Sequence, residues 1–496
     1  MKITNLRKNA IFNVLGWFLP VIIFIFITPL LIDNLGTEAF GVVTLIQLVT
    51  GYMTVLNFGF SEAIIKQIAE NRLIDPQRAF NIAWAGLIIF TVVGLIGGIS
   101  LYILSDWLCN SLFKISEYLR KDSANALRIG SYIFFLQMIA EYYRGLAIGW
   151  ERFDIPNISR IIRVLLSAIF IVIAITGGGG ITEVMHATLL GLVIGLILNI
   201  VWMQYISPAR RIRGEFKNVF VELFHFSKHI FAVRIAGLIA TKFSQFLLGT
   251  LSSVANVALY EIPTRAAEAG SAMLNRIMQV FYPGFSSLYK SNDKDKVKKI
   301  ILSVLSVQML FTVPITTVVL LEGETLISFW INKEIGEQSS IILGIVAISY
   351  LVSSLTNIPT FAALGFSRPD IVSKYSFYRA IISMVVAYPL VKFYGLVGAA
   401  ITLLTGSLIG ILFIHRVMID IFAINIFVAL RRQIIVHFTI STTIIIVYTE
   451  LYKRTDWYSP YSVFIVLALY MVAAMSFKAT STNENRRIME LLGVWR

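Results

Sequence analysis

The chain has 496 residues, of which 57% are hydrophobic and only 14% are charged, and its mean hydropathy is +0.79. A soluble protein carries about 25% charged residues, so the composition excludes an ordinary soluble fold and predicts a polytopic membrane protein. The single cysteine, Cys109, excludes an intramolecular disulfide and a cysteine-based metal cluster. A net charge of +14 is typical of nucleic-acid binding in a soluble protein, whereas in a membrane protein it reflects loop orientation.

Apolar segments long enough to cross a bilayer follow one another along the whole chain. The first follows the basic sequence MKITNLRKNA and has no small-residue cleavage site, so we expect a retained helix rather than a signal peptide. The predicted spans are residues 10–32, 41–60, 80–104, 126–148, 159–176, 184–206, 229–250, 254–283, 299–321, 340–364, 375–391, 395–415, 433–450 and 460–477. The predicted fold class is therefore all-α, with about fourteen transmembrane helices.

Positive residues concentrate in alternate loops. If the N-terminus is inside, 28 lysines and arginines fall in inside segments and 7 in outside segments. Cytoplasmic loops carry such an excess, and one miscounted span would invert every later loop and remove the bias. The distribution predicts that both termini are cytoplasmic. It also accounts for the basic composition, so we expect no nucleic-acid partner.

The basic segment 207–228 separates two halves that begin alike. The sequences LGTEAFGVVTLI from Leu35 and LSSVANVALYEI from Leu251 each join the first span of a half to the second. Internal repeats are common in transporters, and the substrate site lies between them. We expect an N-terminal lobe at 1–206, a linker at 207–228, a C-terminal lobe at 229–415, and two further helices with a cytoplasmic tail at 416–496.

The eighth predicted span, VANVALYEIPTRAAEAGSAMLNRIMQVFYPGF, carries its charges on one face. Four residues fall within a stripe of about 80° on a helix: Glu261, Arg265, Glu268 and Arg276. A charge at the bilayer centre costs about 2.5–3.5 kcal/mol. We therefore expect this face to line a wet cavity.

Charges inside the predicted spans are mostly positive, with seven cations against three acids. The cations are Arg128, Arg144, Arg234, Lys242, Arg265, Arg276 and Arg379, and the acids are Glu141, Glu261 and Glu268. Helical spacing predicts two structural ion pairs, Glu141–Arg144 and Glu261–Arg265. By contrast, Arg234, Lys242 and Arg379 have no acid nearby in sequence, and Arg128 and Arg276 lie near span ends, where they could snorkel to the interface.

Such an excess suits a phosphate or carboxylate guest, because arginine offers a planar fork of donors and lysine a point charge. No catalytic constellation is evident. The glycine run at 177–180 lacks the Lys-Ser/Thr of a P-loop. His225 and His229 have the spacing of a helical metal site, but a basic cytoplasmic edge favours an interfacial helix. The outside loops are too short for a glycosyltransferase or polymerase site, so we expect neither an enzyme nor a metal or cofactor.

Three stretches resemble the polysaccharide-transporter branch of the multidrug/oligosaccharidyl-lipid/polysaccharide exporter superfamily, which includes O-antigen and repeat-unit flippases. They are LGTEAFGVVTLIQLVTGYMTVLNFGFSEAIIK (35–66), YYRGLAIGWERFDIPNISRIIR (142–163) and ALYEIPTRAAEAGSAMLNRIMQVFYPGFSSLY (258–289). Where relatives often have Asp before the x-Gly that ends the second span, this chain has Asn57, which argues against a proton role at that position.

The resemblance implies a V-shaped arrangement of two six-helix lobes that opens alternately inward and outward in the bacterial inner membrane. It implies transport of an oligosaccharide on undecaprenyl diphosphate to the outer leaflet, in contact with membrane lipids and with polysaccharide polymerase or assembly proteins. On that basis the expected head-group contacts are Arg234, Lys242, Arg265, Arg276, Arg379 and Arg144. Glu261, Glu268 and Glu141 would orient these cations or take part in H⁺ or Na⁺ coupling.

Three alternatives remain at this point. A peptidoglycan lipid-precursor flippase needs the same cationic lumen, since its substrate is also a polyprenyl diphosphate. A cation-coupled drug antiporter needs unpaired carboxylates, which the positive excess disfavours. A membrane enzyme is disfavoured by the short outside loops.

Overall fold

The computed structural model of the chain describes residues 3–206, 216–279, 294–366, 368–455 and 462–476. These residues are almost entirely helical and include no β-strand, which confirms the predicted all-α class. Eight helices of this described part are long and apolar enough to cross a membrane. Every predicted span overlaps a helix, while the total of fourteen crossings stays a prediction.

The chain forms two compact units, Met1–Leu238 with Phe246–Ala258, and Ile239–Gln245 with Leu259–Arg496. The first eight helices are α1 (Ile3–Leu35), α2 (Thr37–Met53), α3 (Phe60–Asn71), α4 (Pro76–Trp107), α5 (Glu117–Gly149), α6 (Asp154–Thr176), α7 (Ile181–Ile206) and α8 (Phe216–Leu251). They are followed by α9 (Val254–Gln279), α10 (Lys294–Trp330), α11 (Lys333–Ser354), α12 (Asn357–Gly365), α13 (Pro369–Phe422), α14 (Ile426–Ala429), α15 (Arg431–Thr455) and α16 (Ser462–Ser476).

A sharp break separates α2 from α3. After one 3₁₀ turn, Thr54–Asn57, both Phe58 and Gly59 adopt left-handed backbone angles, with φ of 50° and 77°. This conformation is unfavourable for a bulky residue such as phenylalanine. Asn57 stabilises the break, because its Oδ1 accepts a 2.9 Å hydrogen bond from the Gly59 N–H. The chain therefore starts a new helix at Phe60 instead of continuing α2.

The core of the first unit lies where α3, α4 and α5 pack together. Ile64, Phe90, Phe134 and Met138 are shielded from solvent there. A Cβ on Gly97 of α4 would lie 2.4 Å from the Phe134 ring. The helices approach this closely because α4 presents glycine to α5, so the position of α5 relative to α4 is fixed by packing.

Helices α6 and α7 are in closer contact still. A Cβ on Gly191 of α7 would lie 2.9 Å from the backbone oxygen of Arg163, and one on Gly195 would lie 2.9 Å from the Arg163 Cβ. The Ser159 hydroxyl donates a 2.7 Å hydrogen bond to the Gly195 carbonyl. Two glycines four residues apart allow close backbone approach between membrane helices. The start of α6 is consequently held against the middle of α7.

In the second unit, α13 is two helical arms joined at Gly395, whose backbone angles are φ 52° and ψ −123°. The arms are antiparallel, since a Cβ on Gly398 would lie 1.9 Å from the Leu390 carbonyl oxygen and one on Gly410 would lie 2.4 Å from the Tyr375 hydroxyl. The predicted spans 375–391 and 395–415 correspond to these arms. The apolar core of this unit draws on α10, α12, α13, α15 and α16.

Candidate functional site

A polar cavity of about 280 Å³ lies within the first unit. Its walls come from the 3₁₀ turn that follows α2, the second half of α5, the start of α6, the second half of α7 and one residue of α8. The polar lining residues are Thr54, Asn57, Gln137, Glu141, Arg144, Ser159, Arg160, Arg163, Asn199 and Arg234. The volume is far above the roughly 10–15 Å³ that one water needs, so a polar group of several heavy atoms fits.

Arg144 is fixed in the cavity wall by Glu141. Its Nε donates to Glu141 Oε2 at 2.7 Å, its Nη2 donates to Oε1 of the same carboxylate, and Nη2 also donates to the Ser61 hydroxyl at 3.1 Å. The predicted Glu141–Arg144 pair is therefore confirmed. About a quarter of each side chain stays accessible, so the pair orients the guanidinium without sealing it off.

Arg234 of α8 reaches the break between α2 and α3. Its Nη2 donates to Glu62 Oε1 and its Nη1 donates to Asn57 Oδ1 at 3.1 Å. The sequence placed Arg234 in the second half with no acid nearby. In the structure it belongs to the first unit, and Glu62 in the first turn of α3 is its partner. The break at Phe58 and Gly59 is what directs Glu62 towards it.

Two further arginines line the cavity, Arg160 and Arg163 of α6. The sequence assigned both to an inside loop, where they only supported the topology. Because α6 already begins at Asp154, they lie in its first three turns, and a spacing of three residues puts them on one face. That spacing is the signal that could have identified them. Arg163 is half-buried, and no hydrogen bond or ion pair of its side chain is found among the described residues.

The cavity is positively charged as a whole. Four arginines, Arg144, Arg160, Arg163 and Arg234, face two carboxylates, Glu141 and Glu62. Arginines therefore outnumber carboxylates in this lining. An anion with several oxygen acceptors suits such a lining, because guanidinium groups bind phosphate oxygens through paired donors.

A second cluster, in the other unit, is built around Glu261 of α9, which is only 6% exposed. Gln245 donates to its Oε2 at 2.8 Å, Arg265 Nε lies 3.4 Å from its Oε1, and Lys242 Nζ lies 4.0 Å from its Oε2. Lys242 also lies 3.8 Å from Glu268. The predicted Glu261–Arg265 pair is confirmed, and Glu261 has the central position that an orienting role requires.

These contacts correct one expectation. Arg234 and Lys242 were expected to have no acid nearby, and each has an acid partner. Helix packing supplied a glutamate distant in sequence to Arg234, while Glu261 serves both Lys242 and Arg265. The net positive charge of the described cavity therefore comes from the α6 arginines instead. The head-group role of the three cations stays a prediction.

The other predicted site residues are more scattered. Arg379 of α13 is half-buried, and its Nε is buried without a hydrogen-bond partner among the described residues. Arg128 pairs with Asp106 at 2.5 Å. The side chain of Arg276 lies outside the described residues.

Among the described residues no group of three or more His, Cys, Asp or Glu side chains is arranged for a metal ion. The side chain of His229, one member of the candidate metal pair, lies outside the described residues. In chemical terms the first unit offers an anion-binding cavity, and the second offers a mixed cluster of acids and bases.

Comparison with known proteins assigns the fold and family. Residues 6–289 match the family model described as "Polysaccharide biosynthesis protein". A Shigella flexneri protein provisionally named an O-antigen transporter is 24% identical over 407 residues, which are 80% of this chain and 94% of that protein.

Two solved structures share the fold. The lipid II flippase MurJ in an inward closed conformation has a TM-score of 0.74 at 14% identity, over 95% of this chain and 98% of that one. An inward-facing multidrug resistance MATE family transporter of the MOP superfamily has a TM-score of 0.70 at 16% identity, over 81% of this chain and 94% of that one.

Proposed function

Because the chain belongs to the polysaccharide biosynthesis protein family, we propose that it is a flippase for a polyprenyl-diphosphate-linked oligosaccharide of the O-antigen or capsule type. It is a multi-pass membrane transporter rather than an enzyme, as are its Shigella flexneri relative and the two proteins of similar fold. It moves the lipid-linked sugar from the inner to the outer leaflet of the cytoplasmic membrane.

The observation that carries this proposal is the arginine-lined cavity. Four arginines converge on a space of about 280 Å³. This space can hold a diphosphate head group but is too small to hold the attached oligosaccharide at the same time. Arg144 and Arg234 are held by carboxylates, so their donors are preorganised for phosphate oxygens. A drug antiporter, which has to accept organic cations, would be opposed by a lining in which arginines outnumber carboxylates.

The position of the cavity agrees with loading from the cytoplasm. It lies towards the ends of α2 and α5 and the beginning of α6. Under the predicted orientation, with the N-terminus inside, these helix ends face the cytoplasm. Lipid-linked sugars are assembled from cytoplasmic nucleotide sugars, so the head group would enter from that side. The second cluster around Glu261 would then act later in the cycle.

The test is reconstitution of the purified protein into liposomes that contain a fluorescent undecaprenyl-diphosphate oligosaccharide. Movement between leaflets is measured by protection of the label from an impermeant reductant. We expect faster movement than in empty liposomes, and competition by unlabelled lipid-linked oligosaccharide but not by ethidium. Absence of protein-dependent movement contradicts the proposal. Equal competition by the peptidoglycan lipid precursor would instead favour the precursor flippase.

A further inference from the structure

Phe58 has a backbone conformation that its own side chain disfavours. Its φ is 50°, and a bulky residue with positive φ is an outlier. In the part of the chain that the structure describes, only two other residues besides glycines have positive φ, Glu151 and Ala423. Those two follow the ends of α5 and α13, where a left-handed residue commonly terminates a helix. Phe58 lies instead within the predicted span 41–60, so its surroundings have to hold it in place.

Aromatic contacts supply that hold. The centroid of the Phe58 ring lies 4.6 Å from that of Phe231 in α8 and 6.5 Å from that of Phe60. Aromatic pairs attract one another at these distances. The stabilisation from such a pair and the cost of a left-handed residue other than glycine are of the same order. The ring of Phe58 therefore offsets the backbone strain that the same residue introduces.

The break between α2 and α3 carries three side chains that hold the cavity arginines. Asn57 Oδ1 accepts a hydrogen bond from Arg234 Nη1 at 3.1 Å, and Glu62 Oε1 accepts one from Arg234 Nη2. The Ser61 hydroxyl, which is completely buried, accepts from Arg144 Nη2 at 3.1 Å. Asn57 precedes the left-handed residues, and the other two side chains follow them. The conformation of the break consequently sets where these three acceptors lie relative to one another.

The double contact of Arg234 depends on the break. On a continuous helix, residues five positions apart are about 140° apart around the axis. Asn57 and Glu62 would then point to different sides and could not both bind one guanidinium group. Only the interrupted backbone brings both acceptors to Arg234.

Resting on the proposed function, we propose that Phe58 is a positioning residue of the head-group cavity. Its contact with Phe231 stabilises the left-handed break, and the break holds Arg144 and Arg234 where they bind phosphate oxygens. Phe58 is not among the residues that line the cavity, so it acts on the substrate only through these arginines. Phe231 lies three residues before Arg234 on α8, so the same contact fixes the part of α8 from which Arg234 extends.

The test is binding of farnesyl diphosphate, a soluble polyprenyl diphosphate, to the purified full-length protein in detergent, measured by isothermal titration calorimetry. It compares wild type, Phe58→Leu and Phe58→Gly. Leucine keeps the Cβ atom, and with it the backbone cost, but has no ring to stack on Phe231. Glycine also lacks the ring, but it adopts positive φ without steric cost. We expect Kd to rise about tenfold in Phe58→Leu and clearly less in Phe58→Gly.

This order distinguishes positioning from simple packing. A side chain that only fills space predicts the opposite order, because glycine removes more buried apolar surface than leucine does. An unchanged Kd in Phe58→Leu, or a Kd that rises more in Phe58→Gly than in Phe58→Leu, overturns the proposal. If Phe58→Leu does not fold, Phe231→Leu removes the same ring contact from the side of α8 and should raise Kd in the same way.

Two further variants test whether the effect passes through the arginines. In an Arg234→Gln background, Phe58→Leu should weaken binding less than it does in wild type, because one of the residues that it positions is absent. An undiminished effect there contradicts the proposal. Phe366→Leu is the matched control, since Phe366 contacts Phe422 in the second unit at a similar centroid distance, 4.7 Å. It should keep the wild-type Kd.

The two proposals fail in different ways. If wild type binds farnesyl diphosphate and moves the lipid-linked oligosaccharide but the Phe58 variants bind equally well, only the role of Phe58 is overturned. If wild type binds farnesyl diphosphate but does not move the lipid-linked oligosaccharide, the flippase function is contradicted and the order of the Kd values still decides the role of Phe58. Absence of binding by wild type overturns the head-group cavity and the role of Phe58 together.

Discussion

Arg163 is the cavity residue with the least compensated charge. It is half-buried, lines the cavity, and has no described acid at ion-pair distance. If it binds a phosphate oxygen, Arg163→Ala removes a charge-assisted hydrogen bond worth about 1.5–3 kcal/mol. The half-saturating concentration of the lipid-linked oligosaccharide should then rise about 10- to 100-fold. The measurement is the initial rate of leaflet exchange against substrate concentration.

Arg416 provides the control for that variant. It is an arginine of α13 that is 75% exposed and paired with Asp420 at 3.3 Å, and it does not line the cavity. Arg416→Ala should keep the wild-type half-saturating concentration. Indistinguishable kinetics of the two variants would remove Arg163 from the binding site.

The Glu62–Arg234 pair makes a different prediction, about stability. Both side chains are about one third exposed, so the pair is screened less than a surface pair but more than a buried one. We expect Glu62→Gln and Arg234→Gln each to lower thermal stability, and the double variant to be less destabilised than the sum. The coupling energy should be about 0.5–2 kcal/mol.

The measurement for this double-mutant cycle is thermal unfolding of the purified variants in detergent. The folded fraction at each temperature is determined by fluorescence-detected size-exclusion chromatography. Strictly additive losses would show that the two side chains do not interact. Glu261→Gln is a useful comparison, because that carboxylate has three partners and its loss should cost more.

At the residue scale the sequence identified pairs on one helix and missed pairs between helices. Glu141–Arg144 and Glu261–Arg265 follow from helical spacing alone. Glu62 and Arg234 are 172 residues apart, and no local rule relates them. Arg160 and Arg163 were counted with the inside loop although both follow the predicted span start at 159, and α6 begins five residues earlier still, at Asp154. Counting these span residues as loop charges kept them out of the predicted site.

At the element scale, the contact between α6 and α7 positions those arginines. Gly191 is essential to it, since a Cβ there would lie 2.0 Å from Ser167 Oγ and 2.9 Å from a backbone oxygen. Gly191→Ala should cost about 1–3 kcal/mol through overpacking and lower the unfolding temperature. It should also weaken substrate binding, because Arg163 follows its backbone.

Gly51 in α2 provides the matched control for Gly191→Ala. Nothing lies within 4 Å of its Cβ position, and alanine is favoured over glycine in a helix by about 1 kcal/mol. Gly51→Ala should therefore leave the unfolding temperature unchanged or raise it. If Gly191→Ala unfolds at the wild-type temperature, the close approach of α6 and α7 is not a constraint on stability.

The helices themselves were largely predictable, because long apolar segments in lipid must be helical to satisfy their backbone hydrogen bonds. The breaks within and between these helices were less predictable. The arms of α13 were predicted as two spans that end at 391 and begin at 395, and the chain turns at Gly395. The second span was predicted to end at this x-Gly, but the left-handed backbone of Phe58 was not expected, because Phe58 is apolar and continues the pattern of the span. That break creates the contact between α3 and Arg234.

At the scale of the whole molecule, the charge distribution predicts which loops face the cytoplasm. Cys109 is buried, so cysteines introduced one at a time in a Cys109→Ser background can be labelled selectively. In the first unit, Leu73 is highly exposed in a predicted inside loop and Gly178 is exposed in a predicted outside loop. In the second unit, Asp370 and Lys333 are the corresponding exposed positions.

An impermeant maleimide added to intact cells should label cysteine at 178 and 333, and should label cysteine at 73 and 370 only after permeabilisation. The number of spans between 73 and 178, and between 333 and 370, must be odd for this result. The two pairs together test the orientation of both units. Labelling of 73 and 178 from the same side would mean that α4 to α6 cross the membrane an even number of times. The cavity would then no longer open where cytoplasmic substrate is made.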